Sequence, residues 1–452
     1  MQGIGLMIAF ILSIVLMIFA ISKLKIHPFL SIMGVSLLLA VVAGIKLIEI
    51  PGIIGDGFSG TFKSIGIVII FGAMIGTLLE KTGAAIKLSD MVVRLVGKKR
   101  PELAILLMGW VVSIPVFCDS GFVILNPIRK ALAKRTNASS VSMTVALSAG
   151  LYVSHVLIPP TPGPIAAAST LGIGNNLLLV IGFGALCSIF PLIAGYLYAM
   201  KIGKTVKSLD EIEESHETVK TYEELVAEFG KLPNGFAALA PILMPILLMG
   251  ISSIASMAKW SGPFVNLLLF LGTPIIALAV GLLFGVALLA TAGKMEEFYS
   301  IADETLRTVG PILFVTAAGG VLGKVIAVSG LVDFITAQSA VLKAVGIFFP
   351  FVMAAILKTA QGSSTVAITT TAGIVAPLMG VLGLATPALT ALTVMAIGAG
   401  SMTVSHANDS YFWVVTNFGN LRVEDGYKTQ TMMTLFMGIA AMAEIFIISL
   451  FL

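Results

Sequence analysis

The chain has 452 residues, 58% of them hydrophobic and 11% charged, with a net charge of +4 and a mean hydropathy of +1.05. A soluble domain carries about 25% charged residues, so this composition excludes a single soluble core and requires a polytopic membrane protein. The basic excess implies no nucleic-acid partner, because Lys and Arg of membrane proteins gather on cytoplasmic loops; Cys118 and Cys187, the only two cysteines, make neither a disulfide framework nor a metal-ligand pattern.

Residues 4–22 lack the basic lead of a signal peptide and read as the first span. Residues 27–48 form the second, with His27 at its mouth as an interfacial residue. A glycine-rich connection over 51–64, a third span over 65–79 and a basic amphipathic stretch ending in Arg94, Lys98, Lys99 and Arg100 follow. Residues 101–128 are apolar but interrupted by Pro115, Asp119 and Gly121, and Arg129, Lys130, Lys134 and Arg135 lie just beyond. Basic clusters at both ends place both on the cytoplasmic side. A single span cannot do that, whereas a re-entrant hairpin with its tip at 116–121, buried among other helices, can.

Residues 139–156 then cross outward and break at SHVLIPPTPGP (154–164), where prolines stop the hydrogen-bond ladder. The helix resumes near Ile165, and residues 177–200 return. Residues 201–234 are the one long hydrophilic segment, a cytoplasmic linker with a short surface helix and a solvated His216. Beyond it come spans at 235–258 and 264–291, an amphipathic connection at 293–307, a span at 309–328 and a short outer loop at 331–341. An apolar stretch over 342–384 is broken at Gln361-Gly-Ser-Ser-Thr365. Residues 387–404 lead into IGAGSMTVSHANDSYFW (397–413), and 432–452 form the last span. Glu80 and Glu444 read as residues near span ends.

The halves echo each other in order. Thr61, Lys63, Ser64 and Gly66 match Thr305, Arg307, Thr308 and Gly310; Gly72, Gly76 and Gly83 match Gly319, Gly323 and Gly330 with the same spacing; Ala149-Gly150 and Ser154-His155 answer Ala399-Gly400 and Ser405-His406. Counted from the basic loops, the span at 65 runs inward and its mate at 309 outward, so the copies are inverted. The expected fold is an all-α polytopic membrane protein of two inverted-topology repeats, about ten transmembrane helices, two re-entrant helical hairpins and two unwound helices. The first repeat is 1–200 (hairpin 101–135, broken helix 139–173), the linker 201–234, and the second repeat 235–452 (hairpin 342–384, broken helix 387–416). Both termini are expected to be external.

Four polar breaks then meet at the repeat interface. They are the first tip (Asp119, Ser120, Gly121, Phe122), the first unwound span (Ser154, His155, Thr161, Gly163), the second tip (Gln361, Gly362, Ser363, Ser364, Thr365) and the second unwound span (His406, Asn408, Asp409, Ser410). In hydrocarbon an unpaired carboxylate costs roughly 2.5–3.5 kcal/mol even on lenient scales, so such breaks mark a site. Half-helix ends offer free N–H groups and a positive dipole end, which with Ser and Thr hydroxyls suit a small hydroxylated carboxylate as substrate. His155, His406, Asp119 and Asp409 are the candidates for carrying a proton; for the aspartates, helix capping is the alternative. Lys358, three residues before the second tip, attracts an anion, pairs with an aspartate or snorkels. The chain has no G-x-S-x-G, no H-E-x-x-H and no P-loop. That disfavours an ATP-driven pump and leaves an intramembrane metallo-hydrolase as a remote alternative; no cofactor or metal is called for.

IPVFCDSGFVILNPI (114–128), SHVLIPPTPGPIAAA (154–168), LKTAQGSSTVAITTTAGIVAPL (357–378) and SHANDSYFWVV (405–415) closely resemble, in order, signature stretches of the bacterial gluconate:H⁺ symporter family. The likeness covers most of the chain. It implies proton-coupled import of gluconate, or of a related sugar acid, D-glycerate or D-serine, across the bacterial inner membrane. It also implies a place in the larger group of ion transporters that includes dicarboxylate:sodium symporters, with paired hairpins and inverted repeats. The implied partners are the substrate anion, the proton and the bilayer, and a homodimer is compatible. Sodium-coupled carboxylate transport shares every structural argument and stays open.

Overall fold

The computed structural model describes residues 3–96, 100–212, 232–257, 260–332, 334 and 345–452. His216 and most of the hydrophilic linker, Lys98 and Lys99, most of the expected outer loop at 331–341 and residues 342–344 of the second hairpin lie outside these. All regular structure among the described residues is helical. Eight helical stretches there have the length and hydropathy to cross a membrane, and five further apolar helices are shorter.

In chain order the helices are α1 (Ile4–Ser22), α2 (Pro28–Ala43), α3 (Ile50–Lys81), α4 (Ala84–Val96), α5 (Pro101–Val112), α6 (Cys118–Thr136), α7 (Ser140–Leu157), α8 (Pro162–Thr170), α9 (Leu177–Leu186), α10 (Ile189–Ile202) and a single turn, α11 (Leu209–Ile212). After the linker come α12 (Gly235–Met257), α13 (Pro263–Leu271), α14 (Pro274–Thr291), α15 (Phe298–Val328), α16 (Phe348–Gln361) and α17 (Ser364–Val375). The chain ends with α18 (Pro387–Met402), α19 (Ser410–Phe418), α20 (Val423–Gly426) and α21 (Met432–Ser449).

The centre is built from the broken helices. Residues 141–157 of α7, 390–402 of α18 and nearly all of α17 are buried. Around them α1, α10, α12 and α14 expose apolar side chains such as Ile8, Leu197, Ile254 and Leu283, the pattern of helices that face lipid. Hydrophobic burial does not drive helices together in lipid, so close backbone approach must. A Cβ at Gly150 of α7 would stand 1.9 Å from the Leu106 carbonyl oxygen of α5, and one at Gly400 of α18 would stand 2.2 Å from that of Phe351 in α16. The same Ala-Gly pair thus seats each broken helix on the helix preceding a tip.

Three local expectations need correction. Residues 51–64 are not a connection but the first half of α3, which runs 32 residues. No proline lies within that half beyond the first turn, and glycine lowers helix propensity without breaking the ladder. Gly57 serves as a contact surface, since a Cβ there would lie 2.7 Å from Val321 Cα in α15; nothing nearby accounts for Gly52, Gly55 and Gly60. Likewise residues 298–307 belong to α15, after a single 3-10 turn at Met295–Glu297. Glu444 is not a residue of the span margin. It is buried within α21, and its Oε2 accepts the Phe190 N–H at 2.9 Å, satisfying a donor freed where α9 gives way to α10. His27 caps α2, its Nδ1 accepting the Phe29 N–H at 3.2 Å.

The close approach at Gly150 gives a direct test. Gly150→Val forces α5 and α7 apart and should destabilise by about 1–3 kcal/mol or more, read as a lower unfolding midpoint in detergent. Gly182→Ala, with no atom within 4 Å of the added carbon, should keep the wild-type midpoint or raise it.

Candidate functional site

α16 ends at Gln361 because Gly362 adopts φ +86°, a left-handed position that also lies against residue 408: a Cβ there would be 2.0 Å from the Asn408 carbonyl oxygen. Both demands exclude any side chain. Ser363 then restarts the chain as α17, its Oγ accepting the Val366 N–H at 3.3 Å. One turn before the break, Lys358 has no exposed surface. Its Nζ donates to the Gly362 carbonyl and to Asp409 Oδ2, the latter at 2.5 Å. Of the readings open for Lys358, the structure places the pair with an aspartate.

Asp409 precedes α19. Its Oδ1 accepts the Tyr411 N–H at 3.1 Å, which caps the helix, and its Oδ2 takes both Lys358 and the Ser405 hydroxyl, the latter at 2.5 Å. Capping and ion pairing are therefore combined in one carboxylate, one oxygen for each. The unwound stretch 403–409 is held from two sides. Ser405 donates its N–H to Thr434 Oγ1 at 2.9 Å and accepts from the Thr431 hydroxyl at 2.6 Å. His406 Nε2 lies 3.0 Å from the Thr359 carbonyl oxygen, which also accepts from Asn408 Nδ2 at 2.8 Å. A π-helical turn, Tyr427–Thr431, leads into α21 and sets these threonines.

At the first break the expected tip shifts. Residues 113–117 are the non-helical ones, with the Ser113 hydroxyl donating to the Val116 carbonyl at 2.8 Å, and α6 restarts at Cys118. Asp119, Ser120, Gly121 and Phe122 therefore lie in the opening turn of α6, where the dipole favours negative charge. Phe117 holds the cap position, so Asp119 does not cap α6. Instead Asp119 Oδ1 accepts the Ser410 hydroxyl at 3.3 Å, which brings the N-terminal ends of α6 and α19 together. The far end of α19 is joined to the second half of α6 by Arg129, fully buried, which donates to Asn126 Oδ1 at 2.7 Å, Ser140 Oγ at 2.9 Å and the Phe418 carbonyl at 3.5 Å. The two half-helices thus run side by side.

Ser154 and His155 are helical residues of α7, not part of an unwound stretch; the break is 158–161, and α8 begins at Pro162, three residues earlier than expected. The cause is proline itself, which is well suited to the first turn of a helix. The Thr161 hydroxyl donates to the Ile158 carbonyl at 2.7 Å and closes the turn. Gly163 lies against Ile368 of α17, where an added Cβ would be 2.8 Å from Cδ1. His155 is buried, its ring 5.9 Å from that of Phe117 and its Nδ1 without a hydrogen-bond partner among the described residues. Gln361 is similar: both its Oε1 and its Nε2 are buried and have no hydrogen-bond partner among the described residues. Ser364 and Thr365 are buried in the first turn of α17.

The sequence-derived residues therefore join in a chain of contacts from Asp119 through Ser410, Asp409 and Lys358 to Gly362 and Asn408. Neither histidine ring bonds an aspartate carboxylate, although the His406 carbonyl accepts the Asp409 N–H at 2.8 Å. Missed from the sequence were Ser405, Tyr152 and Tyr411. The rings of Tyr152 and Tyr411 lie 5.1 Å apart, and Lys358 Nζ is 5.8 Å from the centre of Tyr152. Tyr152 stands one turn before His155 in an apolar helix, and that spacing was the available signal. Among the described residues no three His, Cys, Asp or Glu side chains gather as a metal donor set.

Residues 5–451 match the family described as GntP family permease. An uncharacterised permease of Haemophilus influenzae is 35% identical over 91% of this chain and 84% of its own length. A gluconate permease of Pseudomonas aeruginosa is 30% identical over 97% of this chain and 96% of its own. Among solved structures, Neisseria gonorrhoeae MtrF, reported as illuminating a class of antimetabolite efflux pumps, covers 95% of this chain and 96% of its own with a TM-score of 0.66. Its 14% identity shows a shared fold alone. Apolar helices in number, a site made of broken helices and a family match over nearly the whole length agree: the chain belongs to the GntP permease family, multi-pass bacterial membrane proteins that are transporters and not enzymes.

Proposed function

We propose that the chain imports gluconate, or another small hydroxylated monocarboxylate, together with protons across the bacterial inner membrane. The observation that carries this reading is the Gln361 amide, buried with neither its donor nor its acceptor used. Each such group costs about 1–3 kcal/mol unless a polar partner arrives. Around it are the hydroxyls of Ser363, Ser364 and Thr365, the Asn408 amide and Ser410. In this reading the opening turn of α6 (Asp119, Ser120, Gly121, Phe122) and the start of α8 (Thr161, Gly163) complete the binding site, supported by the Asp119–Ser410 hydrogen bond and by Gly163 lying against Ile368. Half-helix starts of this kind supply N–H donors and positive dipole ends for a carboxylate. The hydroxyls supply the neutral hydrogen bonds that a polyol chain needs, and the gluconate permease among the relatives supports that choice.

Proton coupling in this reading rests on His155, His406, Asp119 and Asp409. His155 is the best placed, buried with an unpartnered nitrogen one turn from Tyr152. The alternating motion is assigned to two inverted repeats, residues 1–200 and 235–452, joined by 201–234, with both termini external. The matched close approaches at Gly150 and Gly400 support that division.

Uptake of labelled gluconate into proteoliposomes tests the reading. Accumulation should follow an inward proton gradient and be unchanged when choline replaces sodium; uptake that follows sodium and ignores pH would sink the coupling. Gln361→Leu should weaken substrate affinity about tenfold or more, the equivalent of at least one hydrogen bond, while the unfolding midpoint stays level or rises because no protein contact is lost. Equal losses in both would mark Gln361 as structural. His406→Ala should leave folded protein in the membrane but abolish proton-driven accumulation; near-normal accumulation contradicts its place in coupling.

A further inference from the structure

Lys358 does something the reading above leaves unused. Its Nζ sits just beyond the C-terminal end of α16, between the Gly362 carbonyl and Asp409 Oδ2, with the Ser405 hydroxyl on the same carboxylate oxygen. Every donor to that position is a hard oxygen. The end of a helix carries negative partial charge that favours a cation, and unwound carbonyls beside half-helix ends are where membrane transporters hold their coupling ions. Asp409 in turn stands at the positive end of α19, where a carboxylate is favoured. A lysine present only to bridge the membrane margin would reach for water, whereas this one is wholly buried.

We propose that Lys358 is the resident cation of the transport site: its ammonium fills an oxygen-lined position that would otherwise take a small monovalent cation, and so excludes sodium as the coupling ion. A free cation binds and leaves, but this one is tethered by its own side chain. Apart from the substrate anion itself, only a proton can then change the charge of the site. The other titratable groups around the pair are Tyr152 and His155 of α7, Cys118 and Asp119 of α6, His406 of the unwound stretch, and Tyr411 of α19. Lys358 is the one permanent cation among them.

The inference deepens the proton-symport reading and draws its meaning from it, but its test uses no substrate, so an error in substrate or coupling is distinguishable from failure here. Thermal unfolding in detergent is compared in sodium, potassium and choline chloride at equal ionic strength, for the wild type, Lys358→Ala and the double variant Lys358→Ala/Asp409→Asn. The wild-type midpoint should be the same in all three salts. Lys358→Ala should unfold early in choline and recover in sodium or potassium. Its midpoint should climb with the logarithm of ion concentration, as binding to the folded state alone requires. The double variant should lose that response, since the carboxylate that would hold the ion is gone. Folded Lys358→Ala obtainable only in sodium or potassium is the same result. The proposal is overturned if the wild type is itself stabilised by sodium over choline, if Lys358→Ala unfolds alike in all salts, or if it cannot be recovered folded in sodium or potassium.

Discussion

A helix broken inside an apolar protein exposes backbone donors and acceptors that no water is at hand to satisfy. The architecture of this transporter follows from how those groups are met. At the second pair of breaks the answer is nearly complete. Lys358 takes the Gly362 carbonyl, Asp409 takes the Tyr411 N–H, and Thr431 and Thr434 take both backbone groups of Ser405, while His406 and Asn408 share the Thr359 carbonyl. Lys358 and Asp409 carry the network, because each binds a backbone group with one contact and its partner with another. Isolated, either charge would be untenable at this depth; together they tie the end of α16 to the unwound stretch ahead of α19.

The first pair of breaks is met differently. Its turns close on themselves, through Ser113 to Val116 and Thr161 to Ile158, and proline starts α8 where no N–H is needed. Side-chain hydrogen bonds join this side to the second one: Asp119 accepts from Ser410 at 3.3 Å, the Tyr411 hydroxyl donates to the Ser148 carbonyl at 3.2 Å, and Arg129 donates to the Phe418 carbonyl at 3.5 Å. The unpartnered atoms of the site, His155 Nδ1 and the Gln361 amide, lie one on each side. The second side is stitched through side chains and the first closes on itself, with the unsatisfied polar groups divided between them. Such a site has both a rigid reference and capacity for a ligand.

The family match and the fold likeness carry different weights. The match covers residues 5–451 and places the chain among permeases. The fold likeness to a pump only 14% identical says that the same helical plan serves other cargo. In the proposed reading, cargo and coupling ion are set by the few polar groups between the breaks. The buried ammonium of Lys358 and the unused amide of Gln361 are the two that speak to those questions most directly.

Much of this was legible in the one-dimensional pattern. Hydropathy gave the class, and prolines with polar runs inside apolar stretches gave the four breaks, because a bilayer tolerates neither without a compensating structure. The letters at Gly150 and Gly400 showed that both halves use one packing device. Boundaries were the weaker part: glycines at 52–60 suggested a connection where α3 is helical, and Asp119 stood in as a tip residue where α6 had already restarted. Both errors have one cause, since a glycine or an aspartate near a break is locally compatible with loop, cap or first turn, and only neighbouring helices decide. Partnership was beyond the sequence altogether. Lys358 and Asp409 are separated by 51 positions, and Glu444 and Phe190 by 254, so their pairing depends on which helices the tertiary fold lays together. Composition determined that charges at this depth must be compensated; the packing of α16 on α18 and on the unwound stretch that follows it decided by what.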